Sequence, residues 1–272
     1  MPKRKIGLAL GSGAARGLAH IGVLEVLEKE GIPIDMIAGT SAGAVVGALY
    51  AQGKDASQVK SLVLDLNWKK LASLVDLALP KTGFIGGRKI KNLLASAIGD
   101  IEFSDLKIPL ACVATDLGTG EEVVINQGSV LEGIRASISL PVIFTLAKRE
   151  GRHLLDGGLV NPVPVSILKK MGADFTIAVN VIPDISERTH LVDKAPTKGA
   201  KEPNIFNVIM QSLYIASYSL VRSSLEGADI VIEPQVAHIT AGDFHQAGEC
   251  ILQGNIAAQN CITQIKRRLG GN

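Results

Sequence analysis

Residues 35–53 combine a short apolar strand, a turn of the form G-x-S-x-G and an apolar helix, with Ser41 as the serine of the turn. In that order the serine lies at the tip of a sharp strand-to-helix turn, the arrangement called a nucleophile elbow. Such a turn leaves no room for a Cβ two residues before or after the serine, and glycines stand at both positions, Gly39 and Gly43. The positive end of the helix then lies at the serine, where a developing oxyanion would be stabilised. An ordinary tight turn before a packed helix is the alternative interpretation.

The remainder of the chain alternates between strand-like and helix-like segments. Short apolar runs predict strands at residues 5–10, 35–38, 108–115, 122–125, 153–155, 174–181 and 229–233. Apolar side chains at helical spacing predict helices at residues 17–31, 42–52, 56–80, 88–98, 129–139, 163–171, 204–227 and 246–269. Residues 183–204 are rich in proline and charge, and we expect them to form a long mobile loop.

This alternation predicts a three-layer α/β/α fold with a mostly parallel central sheet. The chain is 47% hydrophobic with only 4% aromatic residues, so its apolar content is mostly Leu, Ile, Val and Ala, as in buried parallel strands and their covering helices. The sequence has no evident repeat or domain boundary, and we expect a single domain over residues 1–272. Within it, residues 5–185 carry the motifs and residues 204–272 form a helical cover.

Charge and cysteine content narrow the class of protein. The 28 basic and 26 acidic side chains leave a net charge of +2, too balanced to indicate a nucleic-acid partner. Three cysteines without metal-ligand spacing favour a reducing compartment. The uncharged run at residues 36–53 is near the lower length limit of a membrane span, but it contains the glycines, Thr40 and Ser41 of the turn. We therefore expect a cytoplasmic protein.

The first predicted strand runs into residues 11–17, Gly-Ser-Gly-Ala-Ala-Arg-Gly. Glycines here free the backbone to bend and to turn several N–H groups toward an anion. One interpretation is a dinucleotide phosphate loop, although the last glycine of G-x-G-x-x-G comes one position late. That interpretation also requires an acidic residue at the end of the second strand, whereas Asp35 stands at its beginning. The other interpretations are an oxyanion hole for Ser41 and a merely tight turn.

A third block contains Asp156 followed by Gly157 and Gly158, at the end of a short predicted strand. An Asp-Gly pair most often marks a surface turn. The functional alternative makes Asp156 the partner that orients or deprotonates Ser41.

Taken in order, the loop with Arg16, the turn around Ser41 and the block at Asp156 resemble the patatin-like phospholipase family. A further segment, from Ala136-Ser137 through Pro141 to Phe144, also matches that family. The resemblance covers roughly residues 5–185. It implies a serine–aspartate dyad in an α/β fold that hydrolyses acyl esters of lipids without a metal or a cofactor.

Carried over by position, the resemblance implies Ser41 as the nucleophile and Asp156 as the general base. It implies an oxyanion hole built from the loop after the first strand, with the candidate residues Gly11, Gly13, Ala14, Ala15 and Arg16. This chain departs from the family's commonest loop by having Ser12 in it and a longer gap to Gly17. Which N–H groups would bind the oxyanion is therefore open.

The competing mechanism is a full triad with histidine, in the chain order serine, acid, histidine. His190, His238 and His245 follow the acid in the chain, but none has a local signature. We expect His20 and His153 to be structural. A carboxylate is a weak base for serine, so a dyad requires close geometry and a water-poor site. We predict the dyad.

Residues 58–98 interleave apolar side chains with cations. The cations considered in this segment are Lys69, Lys70, Lys81, Arg88, Lys89 and Lys91, and its aromatic residues are Trp68 and Phe84. An amphipathic segment of this kind is typical of an interfacial contact or an acyl-chain lid. A helical hairpin packed on the sheet is the alternative. Our hypothesis is a peripheral contact with the inner face of the membrane through residues 62–91.

Together these features predict a serine hydrolase acting on carboxylic ester bonds of lipids, with a phospholipid, lysophospholipid or other fatty-acyl ester as substrate. Acyl transfer to an alcohol on the same site is a closely related alternative. An NADP-binding oxidoreductase, supported only by residues 11–17, and a non-catalytic lipid-binding or regulatory protein are the alternatives from other classes.

Overall fold

The computed structural model describes residues 4–65, 83–85, 87–184 and 205–270. The strands in this part of the chain are β1 (Ile6–Leu10), β2 (Met36–Thr40), β3 (Gly83–Ile85), β4 (Leu110–Asp116), β5 (Glu122–Ile125), β6 (Val142–Phe144), β7 (Ala147–Arg149), β8 (Arg152–Asp156), β9 (Phe175–Val179) and β10 (Ile230–Ile232). The helices are α1 (Ala19–Lys29), α2 (Ala42–Ala51), α3 (Ala56–Asp65), α4 (Gly87–Ile98), α5 (Val130–Ser137), α6 (Val165–Lys170), α7 (Ile205–Ser224) and α8 (Ala247–Leu269).

Across the described ranges, eight strands form one sheet in the order β10-β9-β1-β2-β4-β8-β7, with β5 also paired to β4. The strands from β10 to β4 pair in parallel. Strands β5, β7 and β8 add antiparallel pairs at one side. Strands β3 and β6 form a separate parallel pair. The predicted α/β fold with a mostly parallel sheet is confirmed.

Side chains of the central strands alternate between two cores, because successive residues of a strand point to opposite faces of the sheet. One core joins Leu8, Leu10 and Ile37 to helices α1, α2, α3, α5 and α8. The other joins small residues such as Ala9 and Ala38 to α6. Helices therefore cover both faces, which gives the three layers expected from the sequence.

Strand β4 has two partners one after the other along a single edge. Ile37 N–H of β2 donates to Pro109 C=O, just before β4, and Leu117 N–H, just after β4, donates to His153 C=O of β8. The backbone groups of the odd-numbered residues of β4 therefore point toward this edge. Strand β5 lies along the opposite edge, where Asp116 N–H donates to Glu121 C=O. Strand β2 ends with Thr40 beside Val113, and the antiparallel β8 ends with Asp156 beside Ala114. The two strands therefore meet with their carboxyl ends facing each other.

Most of the predicted elements are present in the structure. The hairpin expected at residues 108–115 and 122–125 is confirmed, as is each of the predicted strands. The three-residue strands β3, β6 and β7 were not predicted. The helix expected at residues 56–80 is seen as α3, and residues 66–80 lie outside the described part, as do residues 185–204 of the expected loop. Among the described helices, none has both the length and the apolar character needed to cross a bilayer.

Candidate active site

Ser41 occupies a strained backbone position between β2 and α2. Its φ of 55° lies in the left-handed region, which a residue with a Cβ seldom adopts. The two glycines of the turn are tightly enclosed, as expected: a Cβ on Gly39 would lie 2.6 Å from Ala44 Cα, and one on Gly43 would lie 2.0 Å from Leu10 O. Only glycine fits at either position. The elbow geometry predicted from the sequence is therefore present.

The hydroxyl of Ser41 is bonded to the carboxylate of Asp156. Ser41 is the N-cap residue of α2, yet its side chain caps no helix N–H. Instead, Ser41 Oγ donates to Asp156 Oδ2 over 2.5 Å, across 115 positions of the sequence. The head-to-head ends of β2 and β8 bring these two side chains together.

Asp156 is an unusually basic carboxylate. It is 4% exposed, and burial raises its pKa from the ordinary value to about 6, although the hydrogen bonds from Ser41 and from Gly158 N–H act in the opposite direction. Gly158 N–H donates to Asp156 Oδ1 over 2.8 Å, so both carboxylate oxygens have a donor. Gly157 lets the chain pass close to β4, because a Cβ there would lie 2.3 Å from Val113 O. A buried carboxylate with this pKa is ionised at neutral pH and accepts a proton more readily than an exposed one.

The glycine-rich loop after β1 borders the same cleft as Ser41. Three of its five candidate N–H groups donate to backbone carbonyls: Gly11 to Val179, Ala15 to Ala241 and Arg16 to Gly13. Gly13 and Ala14 N–H have no acceptor among the described residues. Both residues line the cleft, and Ala14 has a positive φ of 51°. The loop therefore has two adjacent N–H groups available for an anion.

Arg16 connects this loop to the opposite wall of the cleft through its side-chain contacts. It is buried, its Nε donates to Ile239 O over 2.7 Å, and its guanidinium lies 5.4 Å from the ring centroid of Tyr214 on α7. The cleft is lined mainly by apolar side chains, among them Leu140, Leu159 and Ile182. This wall and the polar floor formed by Ser41 and Asp156 suit a substrate with one polar group and an apolar chain.

No histidine among the described residues lines the cleft. His238 and His245 lie at the surface beside Glu249 and Asp243. His20 is buried, and its Nε2 donates to Gly11 O over 2.8 Å; burial lowers its pKa to about 4, so it is neutral. His190 lies outside the described residues.

The geometry gives no support to a dinucleotide site. Asp35, directly before β2, accepts a hydrogen bond from Ile6 N–H over 2.8 Å at the beginning of β1 and β2. The cleft lies at the opposite ends of β1 and β2. Ribose recognition by Asp35 would therefore take place at the wrong end of the strands.

Sequence reasoning missed three contributors to the site. Ser137 accepts the hydrogen bond of Ser41 N–H, and α7 supplies Leu213 and Tyr214 to the cleft wall. Ser137 belongs to the segment that resembles the family, but nothing in the sequence predicts its contact with Ser41. The wall from α7 has no local signal, because its residues form a long apolar helix like any other.

Comparisons with known proteins agree with this fold and motif order. The family model described as Patatin-like phospholipase matches residues 8–169. An uncharacterized NTE family protein of Mycobacterium tuberculosis is 28% identical, with 95% of this chain and 91% of that protein covered. Lysophospholipase NTE1 of Debaryomyces hansenii is 30% identical over 97% of this chain, and human patatin-like phospholipase domain-containing protein 6 is 36% identical over 65% of it.

The chain spans only 18% and 13% of the lengths of those last two proteins. Among solved structures, VipD from Legionella pneumophila has a TM-score of 0.63 at 14% identity, covering 97% of this chain and 67% of VipD, a likeness of fold. The family model covers more than half of the 272 residues. The chain therefore belongs to the patatin-like phospholipase family.

Proposed function

We propose that this protein is a lipid acyl hydrolase in which Ser41 is the nucleophile and Asp156 the general base. The observation that carries the proposal is the 2.5 Å hydrogen bond from Ser41 Oγ to a buried carboxylate at a strained elbow. Family membership and the relative named lysophospholipase support a lipid ester as the substrate.

In the first half-reaction Ser41 Oγ attacks the carbonyl carbon of the ester, and its proton moves to Asp156 Oδ2. The negative charge that develops on the carbonyl oxygen is stabilised by hydrogen bonds from the N–H groups of Gly13 and Ala14 and by the positive end of α2. The tetrahedral intermediate then collapses. The alcohol leaves with the proton from Asp156, and the acyl group remains on Ser41.

In the second half-reaction a water molecule replaces the alcohol. Asp156 takes a proton from this water as it attacks the acyl-enzyme, and then returns the proton to Ser41 Oγ as the fatty acid leaves. The raised pKa of Asp156 suits both directions of transfer, since a base with a pKa near 6 is ionised at neutral pH and still accepts a proton. No histidine is required.

The substrate that fits is a fatty-acyl ester. The cleft places Leu140, Leu159, Ile182 and Leu213 around the two polar side chains, so an acyl chain buries apolar surface beside the reacting carbonyl.

Product analysis tests this proposal. The protein is incubated with a panel of phospholipids, lysophospholipids and neutral esters, with and without a primary alcohol, and the products are identified by mass spectrometry. We expect free fatty acid from the wild-type protein and none from Ser41→Ala. Acyl transfer to the alcohol in place of hydrolysis would identify an acyltransferase, and turnover by Ser41→Ala would contradict the proposal.

We further propose that residues 62–91 contact the membrane from its cytoplasmic side. Most of this segment lies outside the described residues, and Lys91 is paired with Glu132 over 2.6 Å. The proposal therefore rests on the sequence pattern of Lys69, Lys70 and Lys81. Replacing these three with Glu is expected to weaken co-sedimentation with anionic liposomes, while binding that is unchanged would contradict the contact.

A further inference from the structure

We infer that Ser137 is a positioning residue for the dyad. Its hydroxyl bridges the backbone at the end of β2 to the backbone of β4. This inference rests on the proposed function of Ser41 and Asp156. Ser137 is the last residue of α5 and is fully buried. Its hydroxyl accepts from Ser41 N–H over 2.9 Å and donates to Val113 O over 2.6 Å.

The position of this hydroxyl follows from the register of the sheet. In the ladder between β2 and β4, Ile37 N–H donates to Pro109 C=O, and the same step repeats every second residue of a parallel pair. The next donors along β2 are therefore Gly39 and Ser41, and the acceptor facing Ser41 is Val113 C=O. Ser137 Oγ stands between that donor and that acceptor.

The ladder thus continues through a side chain where a direct backbone bond would otherwise form. Two hydrogen bonds in series span a wider gap than one, so β2 separates from β4 at Ser41. Beyond the same point the edge of β4 is taken by β8, whose last residue is Asp156. The inserted hydroxyl keeps the Ser41 N–H satisfied while the chain leaves the sheet, in a conformation that is otherwise costly.

The end of α5 also holds the other member of the dyad. Asp156 N–H donates to Ser139 C=O over 3.0 Å, two residues after Ser137. Arg135 fixes this turn, since its Nη1 donates to Ser139 Oγ over 2.7 Å and its Nη2 to Thr145 Oγ1 over 3.0 Å. The backbone N–H groups of Ser41 and Asp156 are therefore both anchored on one short turn. That turn sets the distance between the two side chains.

The test compares Ser137→Thr with Ser137→Val, which have nearly the same shape but differ in the hydroxyl. We expect Ser137→Thr to keep most of kcat and Ser137→Val to lose about 100-fold, with little change in KM, because a small displacement of the nucleophile costs about this factor. Ser137→Ala, which adds no bulk, is expected to lose kcat to about the same extent as Ser137→Val. It decides the question if neither larger variant folds.

Thr176→Val is the matched control. Thr176 is buried at the opposite end of the strands, and its hydroxyl donates to Gly227 O and to Asp229 Oδ2. Removing this hydroxyl lowers stability but leaves the contacts of Ser41 and Asp156 unchanged. We expect the control to lower the unfolding temperature and to leave kcat unchanged. Equal kcat in Ser137→Thr and Ser137→Val, or wild-type kcat in Ser137→Ala, would overturn the inference.

The rate of fluorophosphonate labelling at Ser41 separates this inference from the proposed function. Labelling reports the reactivity of the serine without any lipid. If the wild-type protein is labelled at Ser41 but hydrolyses no lipid, the proposed substrate class is wrong, and the labelling rates of the Ser137 variants still decide the positioning role.

Discussion

At the scale of the residue, the proposed mechanism depends on the burial of Asp156. Burial raises its pKa to about 6, so this carboxyl is protonated, and unable to act as the proposed base, at a pH where an exposed carboxylate would already be ionised. We predict that kcat/KM falls as the pH is lowered through about 6. The measurement is the pH profile of kcat/KM with a soluble ester, and an acid limb near 4 would contradict this role of burial.

The same burial predicts that activity and stability respond oppositely to Asp156→Asn. Because the folded-state pKa is raised, the folded protein binds the proton more tightly than the unfolded chain, and this stabilisation is lost as the pH rises from about 4 to about 6. Above that window the buried charge costs up to about 3 kcal/mol relative to a neutral group.

Asp156→Asn is therefore expected to abolish hydrolysis and to raise the free energy of unfolding at pH 8. The gain should shrink toward pH 4, where the wild-type carboxyl is also neutral. Urea denaturation at the two pH values measures it. A variant that is less stable than wild type at pH 8 would show that the charge is compensated in the folded protein.

At the scale of the element, the crossing of α1 and α8 depends on two glycines. A Cβ on Gly22 would lie 1.9 Å from Ile251 O, and one on Gly254 would lie 1.9 Å from Ala19 O. The helix backbones therefore touch directly. The crossing lies directly after the loop that contains Gly13 and Ala14, and Cys250 Sγ of α8 contacts Ala15 O over 3.5 Å.

Gly254→Ala is expected to destabilise the protein by about 3 kcal/mol, because the two backbones must move apart. Gly248→Ala is the control on the same helix: nothing lies within 4 Å of its added Cβ, so it should stabilise by up to about 1 kcal/mol. Urea midpoints measure both. Equal effects of the two substitutions would contradict the close crossing.

Sequence patterns predicted some strands of the structure and not others. Strands such as β1, β2 and β9 are short buried apolar runs, and the antiparallel pair β4 and β5 shows alternation around a turn, so each could be recognised locally. Strands β3, β6 and β7 are three residues long, too short to show a period. Strands β3 and β6 pair with each other across a long stretch of the chain, whereas β7 pairs with the adjacent β8.

At the scale of the whole molecule, the alternation of strand-like and helix-like segments was enough to predict the fold class, and the order of the motifs was enough to single out Ser41 and Asp156 as candidates. The pairing of these residues depends on β2 and β8 sharing one edge of β4, which no local pattern reveals. The contact from Ser137 was missed for the same reason, since it spans 96 positions. The available N–H groups of Gly13 and Ala14 could be identified only after the bonds of their neighbours were known.

The most direct test of the dyad is site-resolved mass spectrometry of the protein after reaction with a fluorophosphonate. We predict one adduct, on Ser41, that is absent from Ser41→Ala, forms far more slowly in Asp156→Asn and forms at the wild-type rate in His245→Ala. An adduct on another residue would contradict the assignment, as would a wild-type rate in Asp156→Asn together with loss of reaction in His245→Ala.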